Sequence, residues 1–342
     1  MPEFETNQLI MIAAGFLFVT VILWSIATYI NSRMTESADE RAMEALRNRR
    51  FRKYGDASKA YKKARKKIEN GNTVLIDLIH DLGDDFVGRD QAEQQITFDE
   101  AFEAVSAIRG ATPRSKVVVV LHTLGGYARP AHMIALALKR HLKKSRQHNA
   151  KRDPMVVAYV PYVAMSGGTM IALSADKISM DETASLGPID TIYGGFPSEA
   201  YDELLKAKGV EATQDVLVML AHEAQKYDRY AAKVARDIIN PAHKAKADDP
   251  NALADYLTSG KLSHSEAISP KDARELGMNI STKIPEAIYA LVDARIRMIQ
   301  TRVEEDETQE KAEKAEREAE VLEREQMPER LKARMVRSRT PL

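Results

Sequence analysis

A chain of 342 residues has room for one large domain with appendages, or for two modest domains. Its 50 lysines and arginines are balanced by 50 aspartates and glutamates, so no global positive field of the kind that gathers nucleic acid is present. Cysteine is absent, which excludes disulfides, thiol catalysis and zinc–thiolate sites.

The first eight residues, MPEFETNQ, are an acidic leader. Residues 9–30 (LIMIAAGFLFVTVILWSIATYI) carry no charge, and 22 residues match the ~20 that a helix needs to span a bilayer. Trp24 and Tyr29 fall near the end of the run, where aromatic side chains favour the interface. A cleaved signal peptide would want a basic start and a small-residue cleavage site, and neither is found. A retained single-pass anchor is expected. Residues 31–70 then form a basic juxtamembrane segment, with 13 Lys/Arg between Arg33 and Lys67. The positive-inside rule places the N-terminus outside and everything after the span in the cytoplasm. Basic residues in that position signal topology or contact with anionic lipid, so no nucleic-acid partner is expected.

Residues 71–298 have the texture of a globular α/β domain. VLIDLIH reads as a buried strand. ITFDEAFEAVSAIRGA carries Phe102, Val105 and Ile108 at helical spacing, with Asp99 as the expected N-cap. KVVVVLH (116–122) is a β-branched run typical of a strand covered on both faces of a parallel sheet. After Thr123-Leu124-Gly125-Gly126, RPAHMIALALKRH predicts a helix with Ala131, Ile134, Leu138 and His141 on one stripe, followed by a basic loop. VVAYV, the helical TMIALSA and the short strand KISM complete the pattern. Strand–helix–strand order with short connections gives right-handed βαβ units, whose functional residues gather at the carboxyl ends of the strands.

Ser166-Gly167-Gly168 lies just past one such strand and Gly125-Gly126 just past another. A serine on a strand-to-helix turn can present its hydroxyl beside the unpaired N–H groups of a helix start, which suits acyl transfer. The ordinary alternatives are that Ser166 is a helix N-cap and that the glycine pairs are tight turns.

The motifs HTLGG, VVAYVPYVAMSGGTMIALSADKISM and SLGPID, with IHDL, DEAFEAVSAIR and SGKLSHSEAISPKDARELGM in order around them, closely resemble the serine dehydrogenase proteinase family. That family belongs to the Clp peptidase/crotonase-like superfamily, with signal peptide peptidase A as a relative; the resemblance runs from about Thr73 to Ala290. It implies a Clp peptidase/crotonase-like α/β fold of stacked βαβ units and a serine endopeptidase acting on peptides or proteins, which the anchor expected at 9–30 would hold at the membrane. The superfamily's habit of completing sites across subunits implies a homo-oligomer. Ser166 would be the nucleophile, and Gly125, Gly126 and Gly167 the oxyanion hole.

The base stays open. Clp peptidases carry a histidine soon after the strand that follows the nucleophile helix, where this chain has Pro188. Relatives of signal peptide peptidase A use a lysine, which works as a base only with a depressed pKa. Of Lys206, Lys208 and Lys226, the last lies on the segment where the family shows a lysine and is the first candidate. His264, in SGKLSHSEAIS, is the second, and Asp190 is an orienting group or a helix cap. His80, His122 and His132 lack metal-ligand spacing, so neither a metal nor any other cofactor is expected. Two other classes share the pattern: a crotonase-type acyl-CoA enzyme, which needs the glycine donors but no nucleophilic serine, and a non-catalytic membrane scaffold. Residues 299–342 form a charged tail, read as a solvated helix or disordered.

Overall fold

The computed structural model describes residues 53–83, 94–148, 155–193, 196–243, 249 and 251–326. Two compact units divide at Asp56, and the second, Ala57–Leu342, carries the sheet and the elements around it. The anticipated membrane span at 9–30 lies outside the described residues, as do the leader and residues 327–342. Among the described residues, no helix is long and apolar enough to cross a membrane.

Five strands form one parallel sheet in the order β1-β2-β3-β5-β9: β1 (Thr73–Ile79), β2 (Lys116–His122), β3 (Val156–Val160), β5 (Lys177–Met180) and β9 (Ile280–Ser281). The position of β2 explains why its sequence is an unbroken run of branched residues. Val117, Val119 and Leu121 point into one hydrophobic cluster, whereas Val118 and Val120 point into another on the opposite face. The first cluster is covered by α2 (Phe98–Gly110), α3 (Ala128–Gln147) and α4 (Gly167–Leu173), through Ala104, Ile134 and Ile171 among others. The second is covered by α1, whose turns in this unit span residues 57–68, and by the long C-terminal helix α9 (Glu286–Gln326), through Ala64, Leu291 and Val292. Leu121 is fully buried, and truncating such a side chain to alanine costs about 2–5 kcal/mol.

Smaller elements surround the carboxyl ends of the strands. β4 (Val163–Ala164) pairs in parallel with β6 (Ser185–Leu186), and β7 (Ile192–Tyr193) pairs with β8 (Phe196–Pro197) in an antiparallel ribbon. α5 (Ser198–Lys208) and α6 (Asp215–Ile238) follow, then the short α7 (Ala252–Leu257) and α8 (Pro270–Glu275). The second half of α6 returns to the main core, where Val234 and Ile238 are buried.

Several expectations need correction. α2 buries Ala101 and Ala104 together with Ile108 of the expected stripe, while Phe102 is exposed and Val105 only partly buried. Its N-cap is Thr97, not Asp99: the Glu100 carboxylate accepts the Thr97 N–H at 3.2 Å, the return half of a capping box. α3 continues to Gln147 through residues read as a loop, because Leu142 and Ser145 extend its buried face. The stripe of Ala131, Ile134, Leu138 and His141 is buried as expected. α9 passes without a break from packed turns at Ile288–Ile299 into the charged tail, where pairs such as Arg302–Asp306 (2.6 Å) and Gln309–Glu313 (3.0 Å) link successive turns.

Candidate active site

Ser166 stands between β4 and α4 with φ 47° and ψ −112°, and among the described residues no other non-glycine residue has a positive φ. A helix N-cap normally has extended dihedrals and a side chain that accepts a backbone N–H. Ser166 has neither: its side chain makes no capping bond, which leaves the hydroxyl uncommitted to the helix. The turn is closed by the Gly168 N–H donating to the Met165 carbonyl at 2.7 Å. Such a backbone costs about 1–3 kcal/mol and persists only where the surroundings impose it.

Thr169 supplies part of that imposition. Its hydroxyl donates to the Ala164 carbonyl at 2.7 Å and accepts the Gly187 N–H at 3.0 Å. One side chain thus joins the strand before Ser166, the helix after it, and the segment leading to Asp190.

The loop after β2 packs directly against the Ser166 turn. A Cβ on Gly125 (φ +112°) would sit 2.9 Å from the Ser166 Cβ, and a Cβ on Gly126 (φ +153°) would sit 2.3 Å from the Ile96 nitrogen. A side chain at Gly125 would push the loop away from the Ser166 turn, and one at Gly126 would push it away from the Ile96 backbone. The loop is held by backbone bonds on its far side, Ile96 N–H to the Gly125 carbonyl (2.8 Å) and Tyr127 N–H to the Ile96 carbonyl (3.0 Å). The Gly125 N–H is itself committed, donating to the Thr123 hydroxyl at 3.0 Å. Gly125 therefore shapes the expected oxyanion loop but does not supply a donor to it. Among the described residues, the N–H groups of Gly126 and Gly167 have no acceptor. They are close together, since a Cβ on Gly167 would lie 3.8 Å from the Gly126 nitrogen.

The His264 Nδ1 lies 2.6 Å from Asp190 Oδ1. The Asp190 side chain is only 2% exposed, while His264 is more open. The hydrogen bond to Asp190 raises the His264 pKa above its ordinary value, against the opposing effect of burial. The two come from segments joined by an antiparallel bridge, with Leu186 N–H to Ile268 carbonyl (3.0 Å) and Ile268 N–H to Leu186 carbonyl (2.8 Å).

Ser166, Gly126, Gly167, Asp190 and His264 all line one cleft of about 410 Å³, a volume suited to a ligand of several residues' side chains rather than to water alone. The rest of its wall is largely apolar or aromatic: Leu124, Tyr127, Met170, Ile189, Ile192, Tyr193, Tyr227 and Tyr230. Tyr193 and Tyr227 pack ring against ring at 5.2 Å, and Tyr230 is tethered to His132 Nδ1 at 3.1 Å.

Lys226, the first base candidate, is not in this cleft. α6 turns Tyr227, Tyr230, Ala231 and Val234 toward it, whereas the Lys226 side chain is 60% exposed and its ammonium is paired with Glu223. Lys206 and Lys208 are exposed on α5. The ordering of base candidates drawn from the sequence is thereby reversed in position: His264 borders the cleft with Ser166, and the lysines do not.

Fold and site together define an α/β protein with a parallel sheet, crossover helices and a serine turn at the strand ends. A family model described as ClpP-like SDH-type serine proteinase matches residues 48–306, and the chain belongs to that family. Two uncharacterized proteins of Methanocaldococcus jannaschii are similar in sequence. MJ0137 is 34% identical over 209 residues, 60% of this chain and 68% of the relative. MJ1495 is 31% identical over 200 residues, 58% of this chain and 63% of the relative, so slightly less than two thirds of its length is spanned. Among solved structures, similarity is found to a mutant of the 1510-N membrane-bound stomatin-specific protease in complex with a substrate peptide. That match has a TM-score of 0.35 and 17% identity, over 63% of this chain and 78% of that one. ClpP1 from Listeria monocytogenes gives a TM-score of 0.35 and 12% identity, over 66% of this chain and 98% of that one.

Proposed function

We propose that this chain is a membrane-anchored serine endopeptidase that works through a Ser166–His264–Asp190 triad. The observation that carries the reading is the buried Asp190 bonded to His264 in the same cleft as the strained Ser166. Asp190 holds the imidazole with Nδ1–H toward the carboxylate, which leaves Nε2 to take the Ser166 proton. The Ser166 Oγ attacks the peptide carbonyl, and the oxyanion is received by the N–H groups of Gly126 and Gly167. His264 then protonates the leaving amine, and water hydrolyses the acyl-enzyme by the reverse proton route. One well-placed oxyanion donor is worth about 3–4 kcal/mol of the barrier. The substrate is a peptide or protein segment, the anchor is residues 9–30 with the domain in the cytoplasm, and the working form is a homo-oligomer.

A fluorophosphonate probe on the detergent-solubilised full chain tests the chemistry. Wild type and Lys226→Ala become labelled at similar rates, Ser166→Ala is unlabelled, and His264→Ala is slowed at least 10³-fold. An unlabelled wild type, or a Ser166→Ala variant that still hydrolyses casein, overturns the reading. Protease protection of a C-terminal tag in inverted and right-side-out vesicles tests the orientation.

A further inference from the structure

Behind the glycine loop, on the side away from the cleft, lies a buried polar chain that the triad does not use. Thr123 is fully buried, and its hydroxyl meets three groups: the Gly125 N–H (3.0 Å), the Gly125 carbonyl (3.2 Å) and His80 Nδ1 (2.7 Å). His80 is also fully buried, and its Nε2 faces both oxygens of Glu100 at 3.2 and 3.3 Å. Glu100 in turn accepts the N–H of Thr97, next to the Ile96 whose backbone clamps the same loop.

The Thr123 hydroxyl oxygen accepts the Gly125 N–H, and the same hydroxyl reaches the Gly125 carbonyl and His80 Nδ1. The hydroxyl's single hydrogen has two acceptors within reach: the Gly125 carbonyl and, in the tautomer that places the imidazole hydrogen on Nε2 toward Glu100, His80 Nδ1. The hydroxyl's lone pairs are then left for the Gly125 N–H. Whichever of the two takes its hydrogen, the buried oxygen accepts the Gly125 N–H and holds it on the inner side of the loop.

We propose that His80, held by Glu100, is a positioning residue that sets the oxyanion loop through Thr123. The three side chains retain the Gly125 N–H on the inner side of the loop, so that the Gly126 N–H alone faces the cleft beside that of Gly167. None of them touches substrate. The proposal rests on the peptidase reading above, because it concerns the geometry of that reaction's oxyanion hole.

The experiment measures fluorophosphonate labelling of the full chain in detergent as a function of probe concentration, together with casein hydrolysis. Thr123→Val keeps the shape and removes the hydroxyl. It is expected to lower the saturating labelling rate about 10²-fold, the effect of misplacing catalytic groups by about 1 Å, with the half-saturating probe concentration unchanged. Thr123→Ser restores the hydroxyl and returns the rate to within about threefold of wild type. His80→Asn retains a group near Nδ1 but loses Glu100, and is expected to slow labelling at least tenfold.

Labelling of folded Thr123→Val within threefold of wild type, while Ser166→Ala stays unlabelled, overturns the positioning role and leaves the peptidase reading intact. Should Thr123→Val fail to fold by circular dichroism, His80→Asn decides by the same threefold limit. A wild type that is not labelled at all overturns both.

Discussion

His264 Nδ1 and Asp190 Oδ1, 74 residues apart in the chain, lie 2.6 Å from one another, with the carboxylate buried and the imidazole half open to the cleft. The bond raises the pKa of His264 above its ordinary value, and this determines the pH behaviour of the site. In the proposed triad the neutral imidazole is the base, so the acid limb of kcat/KM is expected above the ordinary histidine value of about 6.5. Asp190→Asn is expected to move that limb downward and lower kcat by about 10⁴-fold, read from pH profiles of peptide hydrolysis. The stability effect has the opposite sense. A raised folded-state pKa stabilises the fold fully below the unfolded value and loses that contribution as pH rises through the folded one. On the proposed mechanism, catalytic competence is expected to be gained over the window in which this contribution is lost.

The dihedrals of Ser166 separate two substitutions that would equally remove the proposed nucleophile. Ser166→Gly admits φ 47°, ψ −112° without a Cβ, whereas Ser166→Ala retains the Cβ and the strain. Relief of about 1–3 kcal/mol, less about 0.4–1 kcal/mol for the freer unfolded glycine, is a net gain of about 1 kcal/mol. The melting temperature of Ser166→Gly is expected to exceed that of Ser166→Ala by about 2–4 °C in matched detergent scans.

Gly126→Ala forces a methyl group into the Ile96 backbone, where the nearest atoms would be 2.3, 2.5 and 2.8 Å away. Backbone at that distance cannot rotate aside, so the loop must move and carry the Gly126 N–H with it. Acylation is expected to slow by about 10²–10³-fold, the cost of losing one oxyanion donor. Gly209→Ala offers the contrast: nothing lies within 4 Å of its Cβ, although its φ of +78° makes it a conformational control. It is expected to lose some stability but no acylation rate, as measured by the same probe.

His243 predicts acid lability remote from the cleft. Its Nε2–H donates to the Ala175 carbonyl and its Nδ1 accepts the Asn279 N–H, both at 3.0 Å, so the folded ring is neutral. Burial pushes its pKa down to about 4. Unfolded chains take up the proton near pH 6.5, so stability is complete above that value and falls as pH drops towards 4. The loss is on the order of 3 kcal/mol. His243→Gln, less stable at pH 7.5, is expected to lose less than wild type on going to pH 4.5 in thermal scans.

What the sequence discloses follows its periodicities. Val117 to Leu121 has to be a strand covered on both faces, and the Ala131–Ile134–Leu138–His141 stripe has to be a buried helix face, because burial alone dictates those patterns. α2 is legible at Ile108 but mis-phased at Phe102, because its other buried residues, Ala101 and Ala104, are too small to outweigh the exposed phenyl ring in a hydrophobic count. Ser166 and the glycine loop are legible as motifs at strand ends. His264 and Asp190 each stand out singly, but their pairing does not, because a contact across 74 residues has no local periodicity. Lys226 is a candidate only by its place on α6, and the helix phase reveals that its ammonium turns to Glu223. His80, Glu100 and Thr123 carry a readable signal: two strand-end residues, each bordering a segment that resembles the family, and a carboxylate at the start of the next helix.

The Thr169 hydroxyl has a consequence for tolerance to motion. Because it bonds both to the Ala164 carbonyl and to the Gly187 N–H, the turn that presents Ser166 and the segment that delivers Asp190 share one mechanical datum. A displacement of either segment must then strain a hydrogen bond to the same hydroxyl, which couples the two.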